Sequence, residues 1–466
     1  MSSDSNTPKI QRIKTGQFER RSSMAKAGAV ASAKLAANSV GSLFVGKEKR
    51  KQRRKNALNK QTLYLVGQLG ELKGSVVKVG QMMALYGEHF LPDEITTALH
   101  TLEDKTVALE WSAIQVAIEE QLGDKIHEFD IDPDPIGAAS LAQVHRATRK
   151  SDGRKLCIKV QYPGVAAAID SDIEAMAGLL KLTKMVPRGP DFDNWLDEIR
   201  TMLHQEVDYL AESAITERFR QRLIDDPRFV VPEVLSEYSS SQIMVMSWEE
   251  GAEVTSDATA QLPQERRNQI ALSLLDLFFN EFLNWKELQT DPNFGNYRIR
   301  INDDGNDQLV LLDFGAVRTF PDHFIDAFRD VAEGAFKRDQ DQVIRGGVAL
   351  NFMRADTPPD VLQSFAKVAF RVMEPFVNDQ HSPVPEQFQT DSGKYCWSAS
   401  DLPKRIAGQA GGAALSRHFR VPPQEFLFFI RKLVGVYTFV AVVGAEINAA
   451  PVLDQWLSRT KPSRIG

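Results

Sequence analysis

The sequence predicts an α+β fold of two lobes preceded by a helical extension, and three observations carry the prediction. A chain of 466 residues at 43% hydrophobic composition exceeds what one compact core usually holds. The apolar pattern changes period, from three-and-four spacing before residue 125, to short alternating runs over 129–164, and then mostly back to helical spacing. Charge is also uneven: residues 1–60 carry 15 Lys/Arg against 3 Asp/Glu, about +12, which leaves about −18 for the rest of a chain whose formal net charge is −6. The expected organisation is a basic extension over 1–60, a helical extension over 61–125, a mixed lobe over 126–250 and a mostly helical lobe over 251–466.

The elements follow in order. Leu63, Val66, Leu69, Leu72, Val76, Val79 and Met83 recur at helical spacing, so a helix is expected from Thr62 to about Leu91, with a second near 109–122. The runs LAQVHRA and KLCIKVQ flank the turn KSDG, a β-hairpin pattern. Helical spacing returns over 166–185 and 192–220, short strands are expected at FVVPEVL and QIMVMSW, and helices dominate over 262–288 and from 321 onward.

Composition narrows the function classes. Cys157 and Cys396 form neither a disulfide framework nor a paired metal-binding pattern, which suits a reducing, cytoplasmic compartment. The N-terminus lacks the apolar stretch of a signal peptide, and the longest apolar run, LVGVYTFVAVVG, is shorter than the ~20 residues of a membrane-spanning helix. The basic head, with 47-KEKRKQRRK-55, reads either as a solvated basic tail or as an amphipathic segment in peripheral contact with anionic lipid at the inner face of a membrane. Nucleic acid is not the expected partner, because Phe18 and Phe44 stand alone among the basic residues. The apolar segment 426–444 carries Arg431 and Lys432 near its middle and is expected to be a buried helix rather than an anchor.

Four residues in a fixed order point to chemistry. Lys159 lies in the second hairpin run, after the small-residue turn 137-GAAS-140, whose backbone N–H groups suit close approach to phosphate. Asp291 and Asn296 stand five apart in DPNFGN, and Asp313 follows an apolar run in DFG. A kinase uses such a lysine on the nucleotide phosphates, such an Asp–Asn pair for the acceptor and a metal, and a DFG aspartate for Mg2+. Each motif alone is weak; the ordered set is strong.

With these residues in view, the chain resembles the UbiB/AarF-type atypical kinase-like family, associated with isoprenoid quinone (ubiquinone) biosynthesis. The resemblance runs over about 62–445 and rests most specifically on 78-KVGQ-81, the family's KxGQ, and on 206-EVD-208, its ExD. It implies an atypical protein-kinase-like bilobal fold with an N-terminal helical KxGQ extension and a mostly helical C-lobe. It also implies that Glu206 pairs with Lys78, with Gln81 on the same helix face, and that Glu212 pairs with Lys159. Gly137, Ala138, Ala139 and Ser140 match its alanine-rich loop, with Gly137 replacing the first alanine, and Gln143 would help shape the phosphate region. Met246 and Ser247 fall where a hinge would offer backbone to adenine.

The cofactors implied are ATP/ADP and Mg2+, with Asn296 and Asp313 as metal ligands and Asp291 orienting or deprotonating an acceptor. Gln289-Thr290 stands where kinases carry His-Arg, and neither Ala-Pro-Glu nor a long activation loop is found. ATPase or small-molecule kinase activity is therefore expected rather than general protein kinase activity. The implied partners are nucleotide, anionic or isoprenoid lipid, and quinone-biosynthesis enzymes. The competing reading is a nucleotide-switched, pseudokinase-like module that presents lipid or assembles enzymes.

Overall fold

A computed structural model of the chain describes residues 75–86, 91, 93–100, 108–183, 190–354, 356–377, 384–406 and 424–459. The basic extension, its proposed lipid contact and the first part of the helix expected from Thr62 lie outside these residues. Two compact units result: the described residues up to Ala214 with Glu233–Trp248, and Ile215–Pro232 with the described residues from Glu249 onward.

In the first unit, helix α1 (Ser75–Tyr86) buries Val76, Val79 and Met83, each worth about 1.5–3 kcal/mol of apolar burial. This stripe leaves Lys78 and Gln81 half-buried together on another face. Helices α2 (Asp93–His100) and α3 (Trp111–Leu122) follow. Strands β1 (Phe129–Ala138), β2 (Ala142–Arg149), β3 (Lys155–Gln161) and, later in the chain, β5 (Ile243–Ser247) form one antiparallel sheet in the order β1-β2-β3-β5.

The expected hairpin is β2–β3, and β1 is an edge strand that alternation does not reveal. Its DIDPDP stretch is exposed apart from the half-buried Ile131 and Pro135, its register slips around Pro135, and the prolines sit where an edge tolerates a missing donor. Gly137 and Ala138 close β1, paired with Val144 and Gln143. The turn proper is therefore shorter than GAAS, and Ala139 N–H closes it on Ala142 O at 2.8 Å.

Helix α4 (Val165–Thr183) buries Ile169, Ile173 and Met176. It offers Asp172 to the Ser75 hydroxyl of α1, a buried hydrogen bond between the two helices. The helical stretch read over 192–220 is two helices, α5 (Pro190–Glu206) and α6 (Tyr209–Leu223). The break falls inside ExD: the Asp208 carboxylate accepts from Ala211 N at 3.1 Å and Asp208 O from Glu212 N at 3.0 Å, so Asp208 caps α6. Helix α6 contributes Tyr209–Ala214 to the first unit and its remainder to the second.

In the second unit the strand expected over FVVPEVL shrinks to β4 (Phe229–Val230). Short α7 (Asp257–Ala260) precedes α8 (Gln264–Phe279), which runs into a π turn over Asn280–Trp285. Strands β6 (Glu287–Gln289), β7 (Tyr297–Arg300), β8 (Gln308–Leu311) and β9 (Val317–Thr319) make two small sheets, β4-β8-β7 and β6-β9. Helices α9 (Asp322–Lys337), α10 (Gln340–Ala349) and α11 (Pro359–Val372) follow. After them come β10 (Tyr395–Cys396), short α12 (Trp397–Ser400), α13 (Gln424–Val442), β11 (Glu446–Ile447) and α14 (Ala450–Arg459).

The apolar segment of α13 is a core helix: Phe429 sits among Phe278, Phe282 and Phe328 at ring distances of 5.7, 4.5 and 4.2 Å. Among the described residues no helix is long and apolar enough to cross a membrane.

Candidate functional site

Lys159 occupies the central part of the first unit's sheet, opposite Val144 on β2 and Met244 on β5. Sheet burial on both sides leaves its side chain 17% exposed, and its Nζ lies 2.6 Å from Oε1 of Glu212, itself 2% exposed. Tyr209 places its ring 5.0 Å from the same ammonium. Because Asp208 caps α6, Glu212 stands in the helix's first turn, where a carboxylate is favoured by the helix dipole. One turn back along the chain, Glu206 at the end of α5 forms an ion pair with Lys78 of α1. Both pairs implied by the family resemblance are therefore brought together, and Gln81 stands one turn from Lys78.

The small-residue segment is open: Gly137, Ala138 and Ala139 are exposed and Ser140 is half-buried. No atom lies within 4 Å of a Cβ built on Gly137, so close packing does not demand glycine there. Gln143 is a structural bridge, not a phosphate contact. It is buried, its Oε1 accepts from Leu109 N at 2.9 Å, and its Nε2 donates to His145 Nε2 at 2.8 Å. His145 Nδ1 in turn meets Asp132 O at 2.8 Å, which makes Nδ1 the protonated nitrogen.

Met246 and Ser247 are sheet residues rather than a hinge turn. Met246 is paired with Cys157 on one side and Val234 on the other. Ser247 gives its N–H to Glu233 O at 2.9 Å, and its hydroxyl accepts from Glu233 N at 2.9 Å. The sequence places them correctly at the end of an apolar strand, but the strand's ladder takes the donor that an adenine would need.

The second unit gathers Asp291, Asn296 and Asp313. Two main-chain links hold their loops: Thr290 N to Ala316 O at 2.9 Å and Leu312 N to Asn296 O at 3.0 Å. The β6–β9 pairing, Gln289 opposite Val317, fastens the same two loops. Gln289, where kinases carry the His of His-Arg-Asp, reaches Asp313 O with its amide at 3.4 Å. Asp313 accepts Gly315 N at 2.9 Å, and Phe314 is buried against Phe219 at 4.8 Å.

Asn296 donates Nδ2 to Oδ2 of Asp291 at 2.9 Å. That bond assigns the amide, leaving Oδ1 as its oxygen donor, the ligand type a hard Mg2+ prefers. Among the described residues no three His, Cys, Asp or Glu side chains converge as a metal cage. Asn296 and Asp313 carry oxygens of the type with which Mg2+, often bound through only one or two side chains, is commonly held beside nucleotide phosphates.

The sequence reading named two further residues as charges in an apolar segment but did not join them to this set. Arg431 of α13 donates Nη2 to Oδ1 of Asp291 at 2.9 Å, so both oxygens of that carboxylate are engaged. Its neighbour Lys432, 3% exposed, donates to Gln289 Oε1 at 2.9 Å and to Tyr297 OH at 2.6 Å. The π turn directs Glu281 inward, where it accepts Gln289 N at 3.0 Å. Burial pushes the Glu281 carboxyl up to about 7, against the opposing pull of Lys432 and the Gln289 N–H. Burial draws the Lys432 ammonium down, yet Tyr297 and Glu281 outweigh it and hold it above its ordinary value. The available signal was two adjacent cations inside an apolar helix, which must find acceptors if the helix is buried.

Residues 101–346 match the family model described as the ABC1 atypical kinase-like domain. The chain is 30% identical to the mitochondrial atypical kinase COQ8B of Rattus norvegicus, over 86% of this chain and 72% of that one. It is 29% identical to the mitochondrial atypical kinase COQ8 of Saccharomyces cerevisiae, over 84% of this chain and 75% of that one. Among solved structures, the complex of Rv3197 with erythromycin from Mycobacterium tuberculosis has a TM-score of 0.56 at 23% identity. The match covers 89% of this chain and 99% of that one, a likeness of fold.

Proposed function

Since the chain belongs to the ABC1 atypical kinase-like family, whose UbiB/AarF motifs KxGQ and ExD it carries, we propose that it binds Mg-ATP. It would hydrolyse the nucleotide slowly or pass its γ-phosphoryl to a small-molecule acceptor, in isoprenoid quinone (ubiquinone) biosynthesis or related membrane lipid metabolism. The observation that carries this reading is the assembled Asp–Asn–Asp set of the second unit, in which Asp291, Asn296 and Asp313 are held by hydrogen bonds.

In this proposal Lys159, steered by Glu212, meets the α- and β-phosphates. Asn296 and Asp313 hold Mg2+, and Asp291 orients the acceptor hydroxyl or water and accepts its proton. Bound Mg2+ would neutralise charge on the transferred phosphoryl group. The main contribution of the protein residues is positioning and charge stabilisation. Lys78, Gln81 and Glu206 would favour a small acceptor over a polypeptide, and the open Gly137–Ser140 segment would offer N–H donors to phosphate.

The deciding experiment measures phosphate release from Mg-ATP by wild type and Asp313→Asn, each with and without anionic liposomes. Release that liposomes stimulate and the substitution removes supports a membrane-coupled enzyme. Absence of release in both proteins, while Mg-nucleotide still raises the wild-type melting temperature, would leave the nucleotide-switched binding module as the better reading.

A further inference from the structure

The loop from Gln289 to Tyr297 reads QTDPNFGNY and contains no basic residue. A carboxylate that must be aimed at an acceptor beside a crowd of phosphate charge needs a partner to fix its plane, and nothing within the loop supplies a cation. The cation comes instead from α13, 140 positions later, where Arg431 donates to Oδ1 of Asp291 at 2.9 Å.

That bond belongs to a longer seam. Residues 431, 435 and 439 recur every four positions and so share one face of α13. Lys432, beside the first of them, binds Gln289 and Tyr297 at the two ends of the loop. Gly435 approaches Pro292 so closely that a Cβ there would stand 2.0 Å from the proline Cβ. Phe439 meets Tyr297 edge-on at 5.6 Å. The loop is thus laid along a helix that is itself locked into the core.

Within this seam the two cations differ in exposure. Lys432 is sealed off, whereas the Arg431 side chain is 30% exposed and Asp291 31%, so their ion pair is open to solvent. A planar guanidinium bonded to a carboxylate oxygen also constrains direction better than an ammonium does.

We propose that Arg431 is a positioning residue for Asp291. Helix α13 supplies the cation that the loop lacks and fixes the direction of the carboxylate, while Lys432 anchors the loop's ends. This role rests on the reading of Asp291 as the group that orients the acceptor.

The test uses the full chain and four proteins besides wild type: Arg431→Met, Arg431→Lys, Asp291→Asn and the double variant Asp291→Asn/Arg431→Met. Melting temperature and Mg-ADP affinity establish that each is folded. Arg431→Met should lower kcat for Mg-ATP turnover about tenfold to a hundredfold, the scale of one charge-assisted hydrogen bond, with KM for Mg-ATP changed less than about twofold. Arg431→Lys, which keeps the charge but not the planar fork, should regain part of that loss, and Arg431→Met should cost nothing further once Asp291 is already Asn.

If wild type turns over and Arg431→Met matches it in kcat, or if the double variant is additively worse, the positioning role is overturned while the functional reading stands. If wild type binds Mg-ADP but releases no phosphate from Mg-ATP, the role of Asp291 in chemistry fails, and the positioning role fails with it.

Discussion

Lys159 and Lys432 are both lysines drawn out of water, and their surroundings separate them. Lys159 pairs directly with a carboxylate 53 positions away, at 2.6 Å, and keeps 17% of its side chain exposed. Lys432 is 3% exposed and its direct acceptors are neutral, the Gln289 amide and the Tyr297 phenol, with Glu281 acting through the field rather than by contact. A partly open lysine paired with one acid suits the phosphate contact proposed for it. A closed lysine gripping two points of a loop is an anchor. In the proposed reading the same residue type therefore serves ligand capture in one unit and loop geometry in the other.

The largest effect that separates them is on stability. Lys432→Ala should cost about 3–5 kcal/mol, because it removes two charge-assisted hydrogen bonds, each of about 1.5–3 kcal/mol, from a buried network. Lys159→Met should cost about 1–3 kcal/mol, because Glu212 is left without its charge-assisted partner. Urea unfolding of both variants checks this, and a larger loss for Lys159→Met would erase the contrast.

A smaller effect sharpens the anchor side through pH. The folded value of Glu281, about 7, lies above its ordinary 4.5, so the folded chain holds that proton more tightly than the unfolded chain. The resulting stabilisation is fully present below about pH 4.5 and is lost as pH rises through about 7. Glu281→Gln keeps an acceptor for Gln289 N and removes the titration. From about pH 5 to about pH 8, wild type should lose stability relative to Glu281→Gln by up to the order of 3 kcal/mol. Parallel stability curves for the two proteins would contradict this account of the cluster.

The smallest effect concerns the segment proposed to face phosphate. Gly137 has open space around its Cβ position, and its φ lies outside the left-handed region. Gly137→Ala should therefore leave the melting temperature unchanged or raise it, by no more than about 1 kcal/mol in stability. A clear loss would show that this segment needs glycine for a reason that its packing does not contain.

What the sequence revealed follows from the range of the interactions. The β2–β3 hairpin, Lys159 within it, and the DPNFGN and DFG motifs are local patterns and were readable as such. The pairs Lys78–Glu206 and Lys159–Glu212 came only through the family resemblance, since nothing in their spacing joins them. Strand β1 was hidden because its Asp and Pro residues carry no alternation, being an exposed edge. The helical run over 192–220 concealed the break at Asp208, because a cap disturbs two residues and leaves the apolar spacing on either side intact. Arg431 and Lys432 were seen as charges interrupting an apolar segment, but their acceptors lie 140 and 143 positions earlier, beyond any periodicity.

The most direct test of the central claim, that Lys159 serves the nucleotide and Asn296 and Asp313 the metal, is calorimetric titration of ADP into wild type, Lys159→Met and Asp313→Asn, each with Mg2+ and with EDTA. The account predicts that Mg2+ tightens ADP binding to wild type, that Asp313→Asn abolishes this dependence while still binding ADP in EDTA, and that Lys159→Met weakens binding under both conditions. Equal affinity of wild type with Mg2+ and with EDTA, or an Asp313→Asn protein that still responds to Mg2+ as wild type does, would contradict it.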